Sequence, residues 1–295
     1  MRLSPSIENA RVLRGISMGA PRFRALLRSG SLPEQMMNSE AWLSYFSNNQ
    51  RPDCVPKTPC SAALPTDVRL TLAQSIARFQ LGEASGGRIA HEVETARDAG
   101  LDAPSRRAIQ LYVLEEGRHA RELFLLLRAL GGQALSQHWS SDWFRRVRRC
   151  LGLRTKLLTM AAAEVVGIAY YSALRDRVPC ATVRATLSMI AREEQRHLDF
   201  QADWFARAIA RTPRLWRSAV AAGIALRFGL ILGAAVLSVL IDHRRALQAV
   251  GVRPSAYLKA CWLELCDRRR FFGEWGGPPY DALDHHEPAR VTRTV

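Results

Sequence analysis

The stretch Ile190 to Trp204, IAREEQRHLDFQADW, decides the fold. Within it, Glu194-x-x-His197 sets a carboxylate and an imidazole one helical turn apart, on one face of a helix. Ile190, Glu194, His197, Gln201 and Trp204 follow the spacing of the inner stripe of a packed helix. A carboxylate and an imidazole therefore stand where a bundle normally places leucine. Buried charge is costly unless it is paired or bound to a metal, so these positions call for a chemical explanation.

The pattern recurs upstream in LYVLEEGRHARELF, where Glu116 and His119 share a seam with Tyr112, Leu123 and Leu126. With 15 Glu and 7 His in 295 residues, random placement gives roughly 0.4 Glu-x-x-His matches. There are two, each preceded by a second glutamate (Glu115, Glu193) and each inside helical apolar periodicity. Two lone core carboxylates accompany them. Glu83 lies on the seam of Ile76, Phe79 and Gln80, and Glu164 is the only charged residue between Lys156 and Arg175. One Glu, one Glu-x-x-His, one Glu and one Glu-x-x-His is the ligand set of a carboxylate-bridged dimetal site in a four-helix bundle. Four carboxylates are neutralised by two divalent ions, and mixed carboxylate and imidazole ligands suit iron or manganese rather than structural zinc.

Composition sets the frame. A chain of 295 residues with 48% hydrophobic content can bury a substantial core. The N-terminus, MRLSPSIENARVL, has no uninterrupted apolar run, so no secretory signal is expected. Six scattered cysteines without a Cys-x-x-Cys pair exclude a zinc-ribbon pattern and fit a reducing cytoplasm. The net charge of +15 suits an anionic membrane surface or nucleic acid, although arginines spread over solvated faces would give the same total.

Along the chain, residues 1–63 read as an N-terminal extension whose aromatic cluster Trp42, Tyr45 and Phe46 packs against the body. Residues 64–212 read as the dimetal bundle and 213–295 as an apolar helix, a final helix and a loose tail. The first bundle helix is expected to start at Thr66 or Asp67 as N-cap and to run unbroken to Gly100 through Gly86 and Gly87. The second spans about Ala103 to Leu130 and stops at Gly131-Gly132. In the link that follows, Trp139, Trp143 and Phe144 alternate with arginines, which reads as packed tryptophans behind a solvated basic face. The third helix covers LLTMAAAEVVGIAYYSAL and the fourth runs from about Ala181 to Arg211. The apolar segment Ala219 to Ile241, broken only by Arg227, is shorter in its uncharged run than a bilayer span and reads as buried or interfacial. His285-His286 in the tail is too isolated to form a ligand pair.

With Glu83, EEGRH at 115–119, Glu164 and EEQRH at 193–197, the chain resembles the ferritin-like di-iron carboxylate superfamily over about Asp67 to Arg211. Within it, EVVGIAYY and EEQRHLDFQADW are similar to aldehyde-deformylating oxygenases, and the basic, apolar-flanked body is similar to membrane-surface quinone hydroxylases. The resemblance implies an all-α, ferritin-like four-helix bundle. It implies that Glu116 and Glu194 bridge two iron ions, manganese or a mixed pair being the alternatives. Glu83 with His119 would complete one ion, and Glu164 with His197 the other. Glu193 would orient a ligand imidazole. From the helix alone, Glu193 is also placed to form a solvated pair with Arg196. Tyr171 lies two turns from Glu164 on the same face, where it would donate a hydrogen bond, act in redox chemistry or simply pack in the core.

The activity implied is a di-iron monooxygenase or oxidoreductase that uses dioxygen to oxidise a small apolar or amphipathic organic substrate, with electrons from an external donor. A ferroxidase or peroxide scavenger and a ferritin-like tRNA-modifying enzyme are the competing readings. A homodimer and contact with the inner face of a membrane are further expectations; nucleic acid is not an expected partner.

Overall fold

The computed structural model describes residues 37–53, 64–84, 87–96, 101–149 and 152–267. The basic stretch Arg11 to Arg28, the tail after Gly276 and His285-His286 lie outside them. The protein is all-α, with no strand among the described residues. Its helices are α1 (Ser39–Asn48), α2 (Thr66–Glu83), α3 (Gly87–Thr95), α4 (Ala103–Ala129) and α5 (Trp139–Arg149), followed by α6 (Leu153–Arg175), α7 (Ala181–Ala210), α8 (Arg217–Asp242), α9 (Arg244–Ala249) and α10 (Pro254–Asp267).

Local chemistry sets the helix ends. Asp102 caps α4 by accepting from Ser105 N at 2.8 Å, with Pro104 in the first turn. At its other end Gly131 adopts φ +74°. Gly132 N donates to Leu127 O and Gly131 N to Arg128 O, both at 2.9 Å, so the last carbonyls are satisfied. The stop at Gly131-Gly132 is thus where the sequence places it.

The start of α2 differs from expectation. Pro65 occupies the cap position and no side chain caps the helix, because Thr66 and Asp67 already belong to its first turn. The unbroken run to Gly100 is also corrected. α2 ends at Glu83, with Ala84 as its C-cap, and a separate α3 begins at Gly87. Glycine costs about 1 kcal/mol each in a helix interior, and the break falls beside the pair that carries this cost.

Helices α2, α4, α6 and α7 surround a buried polar centre. Arg69, early in α2, donates to Leu130 O beyond the end of α4 at 2.7 Å, so these two helices run antiparallel. The stripe read from α7 is the stripe it buries: Ile190, Glu194, His197, Gln201 and Trp204 are each at most 3% exposed. In α6, 17 residues are buried, which explains why so apolar a helix sits in the middle of the protein.

α1 lies over α4 and α7 and belongs to the core. Phe46 is fully buried against Tyr112, Phe200 and His197, and Trp42 packs on Phe200. Trp42 Nε1 donates to Asp203 Oδ2 at 2.9 Å, and Met37 N donates to the same oxygen at 3.2 Å.

Burial pushes the Asp203 carboxyl up to about 6, against the hydrogen bond from Trp42 that favours its charge. Between its ordinary value of 3.8 and about 6, the folded protein keeps a proton that the unfolded chain releases. Stability from this group therefore falls as pH rises through that window. Asp203→Asn keeps an acceptor for both donors and removes the titration. It should raise the melting temperature near pH 7 and leave it unchanged near pH 3, as thermal denaturation across that range will show.

On the far side, α8 packs on α6, and its end is tied to the bundle by a small polar cluster. Ser75 Oγ bonds Tyr170 OH and lies 2.6 Å from His243 Nδ1. Burial, with Arg78 and His138 nearby, pushes His243 down to about 3, so its ring is neutral and serves as a hydrogen-bonding anchor. Trp139, expected to pack inward, is instead 55% exposed and reaches Asp242 Oδ1 through its Nε1 at 3.0 Å.

Candidate metal centre

The two Glu-x-x-His motifs meet because α4 and α7 cross antiparallel at the centre of the bundle. Tyr112 lies opposite Gln201, Glu115 opposite His197, and His119 opposite Glu193 and Glu194. Ligand-type atoms of Glu116, His119, Glu194 and His197 all lie within 4.8 Å of one another, and all four residues are buried. These four can hold a metal ion.

Glu194 divides its two oxygens between the two rings. Oε1 lies 3.0 Å from His119 Nδ1, and Oε2 lies 3.2 Å from His197 Nδ1. Glu116 Oε1 lies 2.8 Å from His197 Nδ1 but has no aligned hydrogen-bond donor. Both imidazoles thus turn Nδ1 toward the carboxylates at the centre. Each turns Nε2 outward to a further glutamate: His119 to Glu193 Oε2 at 2.8 Å, His197 to Glu115 Oε2 at 3.0 Å.

Glu83 and Glu164 fall outside the tightest group but line the same cavity as Glu116 and Glu194. Tyr171 OH donates to Glu83 Oε1 at 3.0 Å. Tyr112 OH donates to Glu164 Oε1, which also accepts from Gln201 Nε2 at 2.7 Å. The other Glu164 oxygen, Oε2, is buried without a partner. Each lone glutamate is therefore held by a tyrosine through one oxygen; the sequence set Tyr171 on the face of Glu164, whereas its hydroxyl bonds Glu83 and Tyr112 takes Glu164.

The electrostatics are those of a site short of positive charge. Burial and the carboxylates of Glu194 and Glu116 hold Glu83 well above the usual carboxylate range. Burial and Glu194 do the same to Glu164. Against the desolvation that would lower it, the Glu194 charge and hydrogen bonds to Glu193 and Glu194 raise His119 to about 10. His197 is raised likewise by its bonds to Glu115 and Glu194 and by the charge of the adjacent Glu116 carboxylate, which outweigh burial. Glu194 is held down at about 2, as the two imidazoles overcome its desolvation.

An outer ring of ion pairs fixes the second carboxylates. Arg51, just past α1, donates through Nε to Glu193 at 2.9 Å and through Nη1 to Glu122 at 2.6 Å. Arg118 lies 3.1 Å from Glu193 and 3.4 Å from Glu115, and Asn49 Nδ2 donates to Glu115 at 2.8 Å. These cations and the His119 bond hold Glu193 below the usual range despite its burial. Arg51 and Asn49 were not legible as site residues, since nothing local marks residues 66 and 142 positions away from their partners.

Glu193 is thus an acceptor for His119 rather than a solvated partner of Arg196, which instead pairs with Asp199 at 3.8 Å. Its hydrogen bond fixes Nε2 as the protonated nitrogen when Nδ1 is a ligand. Glu193→Gln keeps the shape but weakens the acceptor, and should cost roughly 10–100-fold in metal affinity. A competition titration against a chelator checks this; equal affinities would remove Glu193 from the site.

Beside the centre is a cavity of about 150 Å³. Glu83, Glu116, Glu164 and Glu194 form its polar wall, and Phe79, Phe144, Met160, Val166, Ala235 and Val239 form much of the rest. Arg78 at its edge donates to the backbone oxygen of Asp242, and so closes the end of α8.

Glu116 Oε1, buried without a hydrogen-bond donor, lies at the centre where two Nδ1 atoms converge, and Glu164 Oε2, also buried without a hydrogen bond, belongs to a carboxylate that lines the adjoining cavity. That donor set fits hard or borderline divalent cations. No protein-family model, curated protein or solved structure matches the chain.

Proposed function

We propose that the chain is an oxidoreductase in which a pair of iron ions activates dioxygen to oxidise an apolar or amphipathic organic molecule. The observation that carries this reading is a largely apolar cavity with Glu83, Glu116, Glu164 and Glu194 on its polar wall, two of which, Glu116 and Glu194, gather within 4.8 Å of His119 and His197. Glu116, His119, Glu194 and His197 would hold the metals, with Glu83 and Glu164 as the outer ligands. When bound, such ions bind and reduce dioxygen.

The protein's own residues would do the rest. Glu194, which sets one oxygen toward each imidazole, would be shared between the two ions. Glu193 and Glu115 would keep His119 and His197 in the tautomer that leaves Nδ1 free to coordinate. Tyr171 and Tyr112 would each keep one oxygen of Glu83 and Glu164 occupied, leaving the other for a ligand role. Burial and the neighbouring carboxylates raise both phenols well above their ordinary value, so each holds its proton for donation. Phe79, Phe144, Met160 and Val166 would exclude water from the reacting groups.

Electrons would come from an outside donor. A ferroxidase needs no such apolar chamber, which favours an organic substrate over metal handling.

The test is aerobic turnover with iron, a chemical reductant and a mixture of apolar compounds in isotopically labelled dioxygen. Labelled product is expected, with about two iron ions per chain by elemental analysis. Zinc alone, no bound metal, or oxygen uptake accounted for by ferric iron would overturn the reading.

A further inference from the structure

Among the described residues two helices, α6 and α8, are long and apolar enough by length and composition to cross a membrane. α6 meets the requirement because it is a core helix, mostly buried in the protein. α8 is different, with only 22% of its apolar window buried. Its inner residues Ala221, Phe228, Ala235 and Val239 are buried at helical spacing against the body. Its outer residues Leu226, Leu230, Leu237 and Ile241 are 57–67% exposed. Leu215 and Trp216, just before α8, are 85% and 62% exposed, and Trp262 and Leu263 of α10 are also more than half exposed. Apolar surface of this extent in one region marks an interaction site.

We infer that the outer face of α8 docks in the plane of an anionic phospholipid bilayer. The charges around the face argue for lipid rather than a second copy. Arg244 and Arg245 stand exposed at one end of α8, and the other end begins at the half-buried Arg217, whose guanidinium donates to the Thr212 and Ala210 carbonyl oxygens and keeps its charge. The exposed Arg227 flanks the stripe between Leu226 and Leu230. Two copies meeting through this face would bring these arginines together, whereas an anionic bilayer supplies their counter-charge. The same features exclude a span. A helix whose inner face is packed on protein cannot be surrounded by lipid, and Arg227 sits where a span would carry its charge toward the bilayer interior. In the plane, that guanidinium reaches the headgroups on its own apolar stem.

The docking rests on the exposed face alone and does not depend on the metal centre. It has a consequence for that centre under the function proposed above. Ala235, Ser238 and Val239 of α8 line the cavity, so the helix that meets the lipid is also a wall of the chamber.

The test uses the full chain mixed with vesicles of phosphatidylcholine alone, or containing about one-third phosphatidylglycerol. Co-sedimentation is expected with the anionic vesicles, at least about tenfold above the neutral ones, and alkaline carbonate should release the protein. The double variant Leu230→Glu, Leu237→Glu changes only exposed side chains. It should lower vesicle binding at least about tenfold, with circular dichroism, melting temperature and metal content unchanged. Three results would overturn the inference. Wild type and the double variant could stay in the supernatant alike, or the bound protein could resist carbonate extraction as an integral span does. Wild type could also be a vesicle-indifferent dimer that the double variant dissociates. Loss of metal binding with intact vesicle binding would count against the proposed function only.

Discussion

Glu194→Gln is expected to lose both metal ions. The residue is the one carboxylate whose oxygens are each set against a different ring, at 3.0 Å from His119 Nδ1 and 3.2 Å from His197 Nδ1. Glutamine preserves the volume but replaces one oxygen with an amide NH2, which cannot coordinate. In the proposed centre one ion would then lose its shared ligand outright, and the other would lose the charge that holds it beside its neighbour. The affinity loss should exceed the roughly 10–100-fold expected for Glu193→Gln, which acts through a ring and not on the ions.

Glu164→Ala provides the contrast, because Glu164 stands to one side of the tight group and should affect mainly one ion. Elemental analysis should give near-zero metal for Glu194→Gln and about half the wild-type content for Glu164→Ala. Full occupancy in Glu194→Gln would show that the carboxylate is not shared.

Phe46→Ala should be the most destabilising single change outside the centre. The ring is fully buried and packs on Trp42, Tyr45, Tyr112, Phe200 and His197. Truncating such a phenylalanine costs about 3–5 kcal/mol, because the lost burial is compounded by a cavity that its neighbours fill only in part. The effect should reach the metal centre. Phe46 holds α1 in place, and the residues that follow α1 carry Asn49 to Glu115 and Arg51 to Glu122 and Glu193. Chemical denaturation of the metal-free protein measures the stability loss without the contribution of bound ions. A chelator competition should show weaker metal binding in the same variant. A change below about 1 kcal/mol would mean that α1 is an ornament on the bundle, contrary to its burial.

The site was legible in proportion to how locally its geometry is set. The α7 stripe could be read because five residues at helical spacing either share a face or do not, and backbone periodicity alone decides that. The stop of α4 at Gly131-Gly132 was readable for the same reason, since only the identity of two adjacent residues matters. Glu193 was ambiguous between a solvated pair with Arg196 and an acceptor for His119. Its neighbour on the same helix and its partner on another were both in reach, and packing chose the second.

The break after Glu83 lies between these cases. Its cause, a glycine pair, was visible, but whether packing would carry a helix through that pair was not. The tightness of the central group went further than the sequence could. The motif spacing treats all six ligand-type residues alike, yet four gather within 4.8 Å while Glu83 and Glu164 stand apart under their tyrosines.

The sequence by itself determined an all-α chain and the helix faces that carry carboxylates and imidazoles inward, because both follow from periodicity and from the cost of burying charge. The tertiary structure alone decided that α1 is a working part of the core, that Arg51 and Arg118 clamp the outer glutamates, and that α8 turns an apolar face outward. Those outcomes depend on surfaces that meet far along the chain, as Asn49 and Glu115 do across 66 positions and Arg51 and Glu193 across 142, and no local propensity encodes a contact between residues so far apart.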